Sequence, residues 1–205
     1  MKNENLITIS TKNSKLGQMI PTINLPAITT CRANAPCRKG CYACKGRFRF
    51  TTVQKSLEKN YNIYKNNPQN YFNQIQVYLT ALPYKYFRYH SSGDIVDTQY
   101  LLGMIETANK CKKTKFLCFT KKFEIVNEYL ANGGEIPNNL KIVFSAWGIF
   151  IPDNPYNLPM TYVNFSKNGL DNTIPKNAKQ CNGECATCQM CWKLKQKQSV
   201  YFNFH

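Results

Sequence analysis

The sequence has few acidic residues, no long apolar run and none of the common nucleotide-binding or hydrolase motifs. Only 11 of the 205 residues are Asp or Glu, against 27 Lys and Arg, which gives a formal net charge of +16. No apolar run approaches the 18 or more residues that span a bilayer. Neither a G-x-x-x-x-G-K-[ST] phosphate loop nor a G-x-S-x-G nucleophile elbow is present. These absences argue against a membrane-spanning protein, a P-loop nucleotidase and a serine hydrolase.

The first ten residues, MKNENLITIS, also lack the apolar core of a signal peptide. We therefore expect a cytoplasmic protein in a reducing compartment, without membrane contact. A chain of this length buries roughly 70% of its unfolded surface, so it needs neither disulfides nor metal simply to fold. The ten cysteines are therefore predicted to be metal ligands or free thiols rather than disulfides.

Apolar spacing predicts strands that alternate with helices along most of the chain. Helical periods recur over 50–64, 67–82, 101–108 and 123–130. Strand-like runs occupy 23–28, 86–90, 116–119, 140–144, 160–165 and 199–204. This alternation is typical of an α/β fold with mostly parallel strands, and the spacing fits a partial (β/α) barrel. We expect one domain over 1–205, with an N-terminal segment 1–20, an α/β core 21–175 and a Cys-rich C-terminal segment 176–205 that carries the final strand.

Eight of the ten cysteines fall in two dense groups. The first group, directly after a predicted strand, consists of Cys31, Cys37, Cys41 and Cys44. The second group consists of Cys181, Cys185, Cys188 and Cys191. Each group contains the spacing C-x3-C-x2-C, and thiolates every three or four residues surround a soft metal centre well. We therefore predict that these eight cysteines bind metal, at one or two sites.

Two kinds of metal site remain open. C-x3-C-x2-C after the first strand of a βα barrel resembles the motif of radical S-adenosylmethionine enzymes. That resemblance implies one or two [4Fe–4S] clusters and leaves S-adenosylmethionine open as a further cofactor. That family usually has an aromatic residue before its last cysteine, where Ala43 stands here. If Cys31 is a fourth ligand, no iron stays open for the cofactor, and the role of Cys44 is equally open. The C-x2-C pairs alternatively suit two all-thiolate zinc sites.

The segment Ser92-Gly93-Asp94 follows a predicted strand, at the end where parallel α/β folds collect functional groups. It is similar to the Gly-Gly-Glu-like segment of radical S-adenosylmethionine enzymes, which implies that these three residues bind the cofactor. Asp94 alternatively caps the helix that follows. His90 and Cys118 are predicted to be buried core residues, as is Cys111.

Polar and aromatic residues end three further predicted strands. They are Thr120-Lys121-Lys122, Ser145-Ala146-Trp147 and Asn164-Phe165-Ser166. Because the carboxyl ends of parallel strands share one edge, we expect these residues to rim the same cavity.

The basic charge balance predicts a nucleic-acid partner. The best candidates for phosphate contact are two lysine-rich runs that we expect to be exposed. They consist of Lys112, Lys113 and Lys115, and of Lys193, Lys195 and Lys197.

The order of these motifs resembles the phage gene product 88-like family, which is carried by phages and plasmids. The resemblance rests on residues 13–17, on the first cysteine group, on 87–94, on 119–121 and on 185–192. It implies a radical-SAM-like fold and a mobile-element origin. Together with the cysteine groups, it predicts a mobile-element metalloprotein with one or two iron–sulfur clusters, and a radical-SAM-like enzyme of unknown substrate is one form of that prediction. The alternative is a basic nucleic-acid-binding protein with structural metal sites that acts in phage or plasmid replication or copy-number control.

Overall fold

The computed structural model describes residues 5–11, 13–14 and 16–204. Lys15 and parts of the predicted segment 1–20 thus lie outside the described residues. The helices are α1 (Thr51–Asn66), α2 (Pro68–Ala81), α3 (Thr98–Lys110), α4 (Phe123–Ala131) and the single turn α5 (Cys185–Cys188). The strands are β1 (Ile9–Ser10), β2 (Thr22–Ile23), β3 (Tyr86–Tyr89), β4 (Lys115–Thr120), β5 (Leu140–Ser145), β6 (Met160–Asn164), β7 (Lys179–Gln180) and β8 (Ser199–Asn203).

The eight described strands form one sheet in the order β1-β2-β3-β4-β5-β6-β8-β7. β1 is antiparallel to β2, and every other neighbouring pair is parallel. The predicted α/β class and the mostly parallel sheet are therefore confirmed. Among the described strands the sheet is open, with β1 at one edge and β7 at the other, so a closed barrel is not formed.

Local sequence explains where the helices begin. The Asn67 side chain accepts a hydrogen bond from the Asn70 amide, and Pro68 takes the first position of α2, where its missing N–H costs nothing. α3 begins after Asp97, whose carboxylate accepts from the Tyr100 amide at 2.8 Å. The alternative prediction that Asp94 caps this helix is therefore wrong. No described helix is both long and apolar enough to cross a membrane.

The sheet has two differently covered faces. Along β4, Phe116 and Cys118 point to a core shared with α1–α4, because successive side chains of a strand alternate between faces. Leu117 belongs to a second core on the opposite face. We call this opposite side the second face; it is covered by the N-terminal residues Leu16 and Ile20 and by the C-terminal residues Cys191, Trp192 and Leu194.

Direct contacts hold this second layer in place. The Trp192 indole N–H donates to the Phe87 carbonyl oxygen at 3.2 Å, which ties the Cys-rich segment to β3. A Cβ atom placed on Gly17 would lie 3.1 Å from the Ala186 Cβ. The N-terminal turn and α5 are therefore packed directly against each other.

His90 directly follows β3 and is buried on the helix side of the sheet, as predicted. Its Nε2 lies 2.9 Å from the Tyr100 hydroxyl, which in turn lies 2.9 Å from the Tyr71 hydroxyl. The His90 Nδ1 faces the buried Cys118 Sγ at 3.9 Å. Burial, with the charge of Arg88 as a second cause, lowers the pKa of His90 to about 3. The imidazole is therefore a neutral core group at physiological pH.

Acid should destabilise the protein through His90. An unfolded His has a pKa of about 6.5, so between that pH and about 3 only the unfolded chain takes up the proton. We expect the stability difference between wild type and His90→Asn to shrink by about 2 kcal/mol from pH 7 to pH 5. Asn is chosen because it tolerates the φ of 66° at this position. Urea unfolding at each pH measures the difference, and a pH-independent value would contradict the expectation.

Candidate thiol site at the carboxyl ends of the strands

The loop after β3 interlocks with the chain that follows β2. The Leu25 amide donates to the Ser92 carbonyl at 3.0 Å, and the Ser92 hydroxyl donates to the Leu25 carbonyl at 2.9 Å. Gly93 has a φ of 87°, and a Cβ there would lie 2.7 Å from both the Leu25 Cβ and the Thr30 Oγ1. Only glycine fits this close approach.

Asp94 joins this interlock to β4. Its buried carboxylate accepts hydrogen bonds from the Thr120 hydroxyl at 2.6 Å, the Lys121 amide at 2.9 Å and the Ile95 amide at 2.8 Å. Burial raises the pKa of Asp94, while these hydrogen bonds oppose the rise. The Ser92 hydroxyl and the Asp94 carboxylate are thus engaged by protein groups. Cofactor binding by Ser92, Gly93 and Asp94 stays a prediction.

The first cysteine group lies in the loop after β2, beside this interlock. Cys31, Cys37 and Cys41 are partly buried and Cys44 is exposed. Burial raises the pKa of Cys31 to about 11, and the charge of Asp94 adds to the rise, as do those of Cys41 and Cys37. These thiols are therefore close enough to disfavour one another's ionisation.

The second cysteine group lies on the second face, in α5 and the turns beside it. Cys191 is buried, whereas Cys181, Cys185 and Cys188 are partly buried. Burial raises the pKa of Cys191 to about 12, and the charges of its three group members add to the rise. The members of the second group therefore lie close enough to disfavour the ionisation of Cys191.

The thiols in each group match a soft metal chemically, although their present arrangement does not form a site. Within the described residues, no three His, Cys, Asp or Glu side chains form a group that could hold a metal ion. Thiolates are the preferred ligands of zinc and of iron–sulfur clusters. A metal would replace the thiol protons and remove the repulsion between thiolates, so the donor chemistry fits such a group.

The charge of Arg88 acts on one residue of each cysteine-rich segment, Tyr42 and Cys191. Arg88 points from β3 to the second face, where its guanidinium carbon is 5.0 Å from the Phe119 ring centroid. Tyr42 in the first loop is 61% exposed overall, but its hydroxyl donates to the Ser91 carbonyl, and desolvation there raises the pKa of the phenol. Burial raises the pKa of the Cys191 thiol in the second group, and the charge of Arg88 opposes both rises. The Arg88 Nε is buried without a hydrogen-bond partner. Neither ion pair of the described chain involves Arg88.

The six predicted lysines are all exposed. One run precedes and begins β4, and the other lies between Cys191 and β8. The register pairs Thr120 with Phe144, Phe144 with Met160 and Met160 with Ser199. The start of β8 is thus level with the end of β4, so the two runs lie at different heights of the sheet. Their contact with phosphate stays a prediction.

Comparison with known proteins identifies the family. A family model described as gene product 88 matches residues 1–194. The chain belongs to the gene product 88 family. The resemblance of the sequence to that family is therefore confirmed, and the family name supports an association with phages. No curated protein and no solved structure matches the chain.

Two features of this gene product 88 protein were missed in the sequence. Arg88 stands in an aromatic strand, and its only signal is a charge between two buried rings. Phe204 packs with Trp147 and Phe165, although it was predicted only as part of a strand. The three strand-end motifs do meet, because Lys121 lies over the Trp147 ring and Trp147 contacts Phe165.

The Gly93 interlock predicts a sharp difference between two glycines. Gly133 has a similar φ of 79° but no atom within 4 Å of an added Cβ. Gly133→Ala should therefore cost only the backbone strain of about 1–2 kcal/mol. Gly93→Ala should cost about 1–3 kcal/mol more, because the methyl group collides with Leu25 and Thr30. Chemical denaturation of both variants measures the gap, and equal losses would show that the close approach is unimportant.

Proposed function

We propose that this gene product 88 protein is a metalloprotein that binds iron–sulfur clusters through its two cysteine groups. The observation that carries the proposal is the presence of two sets of four thiols in a chain whose Arg88 forms neither of the two ion pairs found among the described residues. One cluster would be held by the first group, which consists of Cys31, Cys37, Cys41 and Cys44. Either Cys31 or Cys44 would be the cysteine that this cluster does not need. The other cluster would be held by the second group, which consists of Cys181, Cys185, Cys188 and Cys191.

Electrostatics support this assignment. Free thiols whose pKa values rise to about 11 and 12, as at Cys31 and Cys191, stay protonated at neutral pH. Metal binding requires their deprotonation and so releases protons. An all-thiolate cluster leaves excess negative charge in a partly buried place, where an adjacent cation is favourable. Arg88 supplies such a cation beside the second group, where its charge acts on Cys191, and in the first loop its charge acts on Tyr42.

The strand order supports a radical-SAM-like enzyme. β2 to β6 follow one another in the sheet and α1–α4 lie on one face, which is the arrangement of a (β/α) barrel opened out. The first cysteine loop follows β2, the first parallel strand, and Cys31 lies within the electrostatic influence of Asp94. S-Adenosylmethionine would then bind beside Ser92, Gly93 and Asp94. A [4Fe–4S] cluster supplies single-electron transfer when it is bound.

Metal analysis tests the proposal directly. Protein purified without oxygen should contain iron and sulfide and show broad visible absorption. Cys41→Ala and Cys188→Ala should each remove about half of the iron, since each takes a thiolate from one cluster. Cys111→Ala is the matched control, because Cys111 is a partly buried thiol outside both groups, and it should leave the iron content unchanged.

Each other result has a definite meaning. Colourless protein with stoichiometric zinc would show that the two cysteine groups form zinc sites rather than iron–sulfur clusters. Protein without metal would overturn the metalloprotein proposal itself. If iron is present but S-adenosylmethionine does not alter the electron paramagnetic resonance spectrum of the reduced protein, the clusters are structural or carry electrons.

A second candidate function is nucleic-acid binding. It is favoured by the exposed lysines of both runs and by the presence of only two ion pairs in the described chain. A cleft of about 450 Å³ beside the second cysteine group adds basic surface, since Lys179, Lys193 and Lys195 line it. Such a protein would act in phage or plasmid replication or copy-number control.

Salt dependence measures the phosphate contacts. Replacing Lys112, Lys113 and Lys115 with Gln should lower the slope of log affinity against log salt by roughly two units, at about 0.7–0.9 per contact. The control removes three charges from α1 instead, by Gln substitution of Lys55, Lys59 and Lys65. An equal change in both variants would mean that net charge alone sets the affinity.

A further inference from the structure

Three aromatic rings meet where three strands end. Trp147 follows β5, Phe165 follows β6 and Phe204 follows β8. The Trp147 ring centroid lies 5.4 Å from that of Phe165 and 6.0 Å from that of Phe204, and the two Phe centroids are 5.0 Å apart. We call these three rings the aromatic triad.

Two rings of the aromatic triad are open to solvent. Phe165 is 38% exposed and Phe204 is 50% exposed, while Trp147 is partly buried against both. The Phe204 amide donates to the Asn164 carbonyl at 2.9 Å, which fixes the backbone that carries this ring. The rings are therefore held in place without being covered, and contiguous exposed apolar surface of this kind marks an interaction site.

The surroundings of the aromatic triad are basic. The Lys121 Nζ lies 5.6 Å from the Trp147 ring centroid, and Lys167 is exposed two residues after Phe165. Asp171 is the acidic residue of the loop after β6. Its carboxylate accepts from the Thr173 amide at 3.0 Å and from the Thr173 hydroxyl at 2.8 Å. Its charge is thus partly satisfied within its own loop.

We propose that the aromatic triad is a platform on which bases of single-stranded nucleic acid stack, with Lys121 and Lys167 contacting the phosphates. Exposed rings beside cations are what a strand with unpaired bases requires, because every base offers a flat face and every linkage a negative charge. The platform differs from the lysine runs before β4 and β8, and it needs no metal. It therefore deepens the second candidate function, nucleic-acid binding, with a base-contacting site whose residues differ from those of the lysine runs.

A protein partner fits this surface less well. A second copy of the chain would place two basic faces against each other, and each copy carries a net charge of +16, which opposes self-association. An apolar protein surface would also use the aliphatic neighbour Ile149, which is 94% exposed. The distinction between rings and aliphatic side chains can therefore be tested by substitution.

Fluorescence anisotropy with labelled 12-nucleotide single strands of DNA and RNA tests the proposal on the full chain. Phe165→Leu and Phe204→Leu keep apolar side chains but remove the rings. Each should weaken binding about 5- to 140-fold, which corresponds to the loss of one stacked base. Ile149→Ala is the matched control and should bind as the wild type does. The salt slope should be unchanged in all three variants, because no phosphate contact is removed.

An abasic strand of the same length separates stacking from charge. It should bind wild type and the two Leu variants equally, since it offers phosphates without bases. Wild-type affinity of both Leu variants for the normal strand would overturn the proposal and leave the lysines alone as contacts. A nucleoside monophosphate that binds as tightly as the strand would overturn it in favour of a free nucleotide. Self-association that Ile149→Ala disrupts, without strand binding, would overturn it in favour of a protein interface.

Discussion

The close approach of Gly93 to Leu25 and Thr30 is the contact on which the proposed site depends. It fixes the ends of β2 and β3 against each other, and Asp94 extends the connection to Thr120 at the end of β4. The first cysteine loop leaves the sheet from this junction. A side chain at position 93 would separate the strand ends and move the thiols, so backbone packing and thiol chemistry are coupled here.

Charge is distributed around this junction with little compensation. Arg88 is unpaired among the described ion pairs and Asp94 is satisfied by hydrogen bonds rather than by a cation. Cys31 and Cys191 stay protonated because burial and neighbouring thiols raise their pKa values. Metal-bound thiolates would reverse this balance, since they would supply the negative charge that Arg88 lacks. The Arg88 guanidinium would therefore be better compensated with metal-bound thiolates nearby than with protonated thiols.

Periodicity predicted the long elements because their buried faces repeat several times. α1–α4 and the strands β3, β4, β5, β6 and β8 all occur where apolar spacing indicated them. β1, β7 and α5 are too short to carry a period, and so they were missed. The alternative that Asp94 caps α3 is wrong because Asp94 and Asp97 are equally favourable cap residues in the sequence, and only the tertiary contact of Asp94 with Thr120 separates them. The aromatic triad joins strand ends far apart in sequence, which no local pattern reveals.

The second face of the sheet is closed by residues from opposite parts of the sequence. Leu16 and Ile20 come before all the parallel strands, whereas Cys191, Trp192 and Leu194 come after β6. During synthesis the helix side of the sheet can form before the Cys-rich segment, which covers the second face, has been made. Such distant contacts are formed late and at a high loop-closure cost. While the apolar face of the nascent sheet is uncovered, the risk of aggregation is greatest for this fold. That risk falls only when the second cysteine group packs onto the sheet.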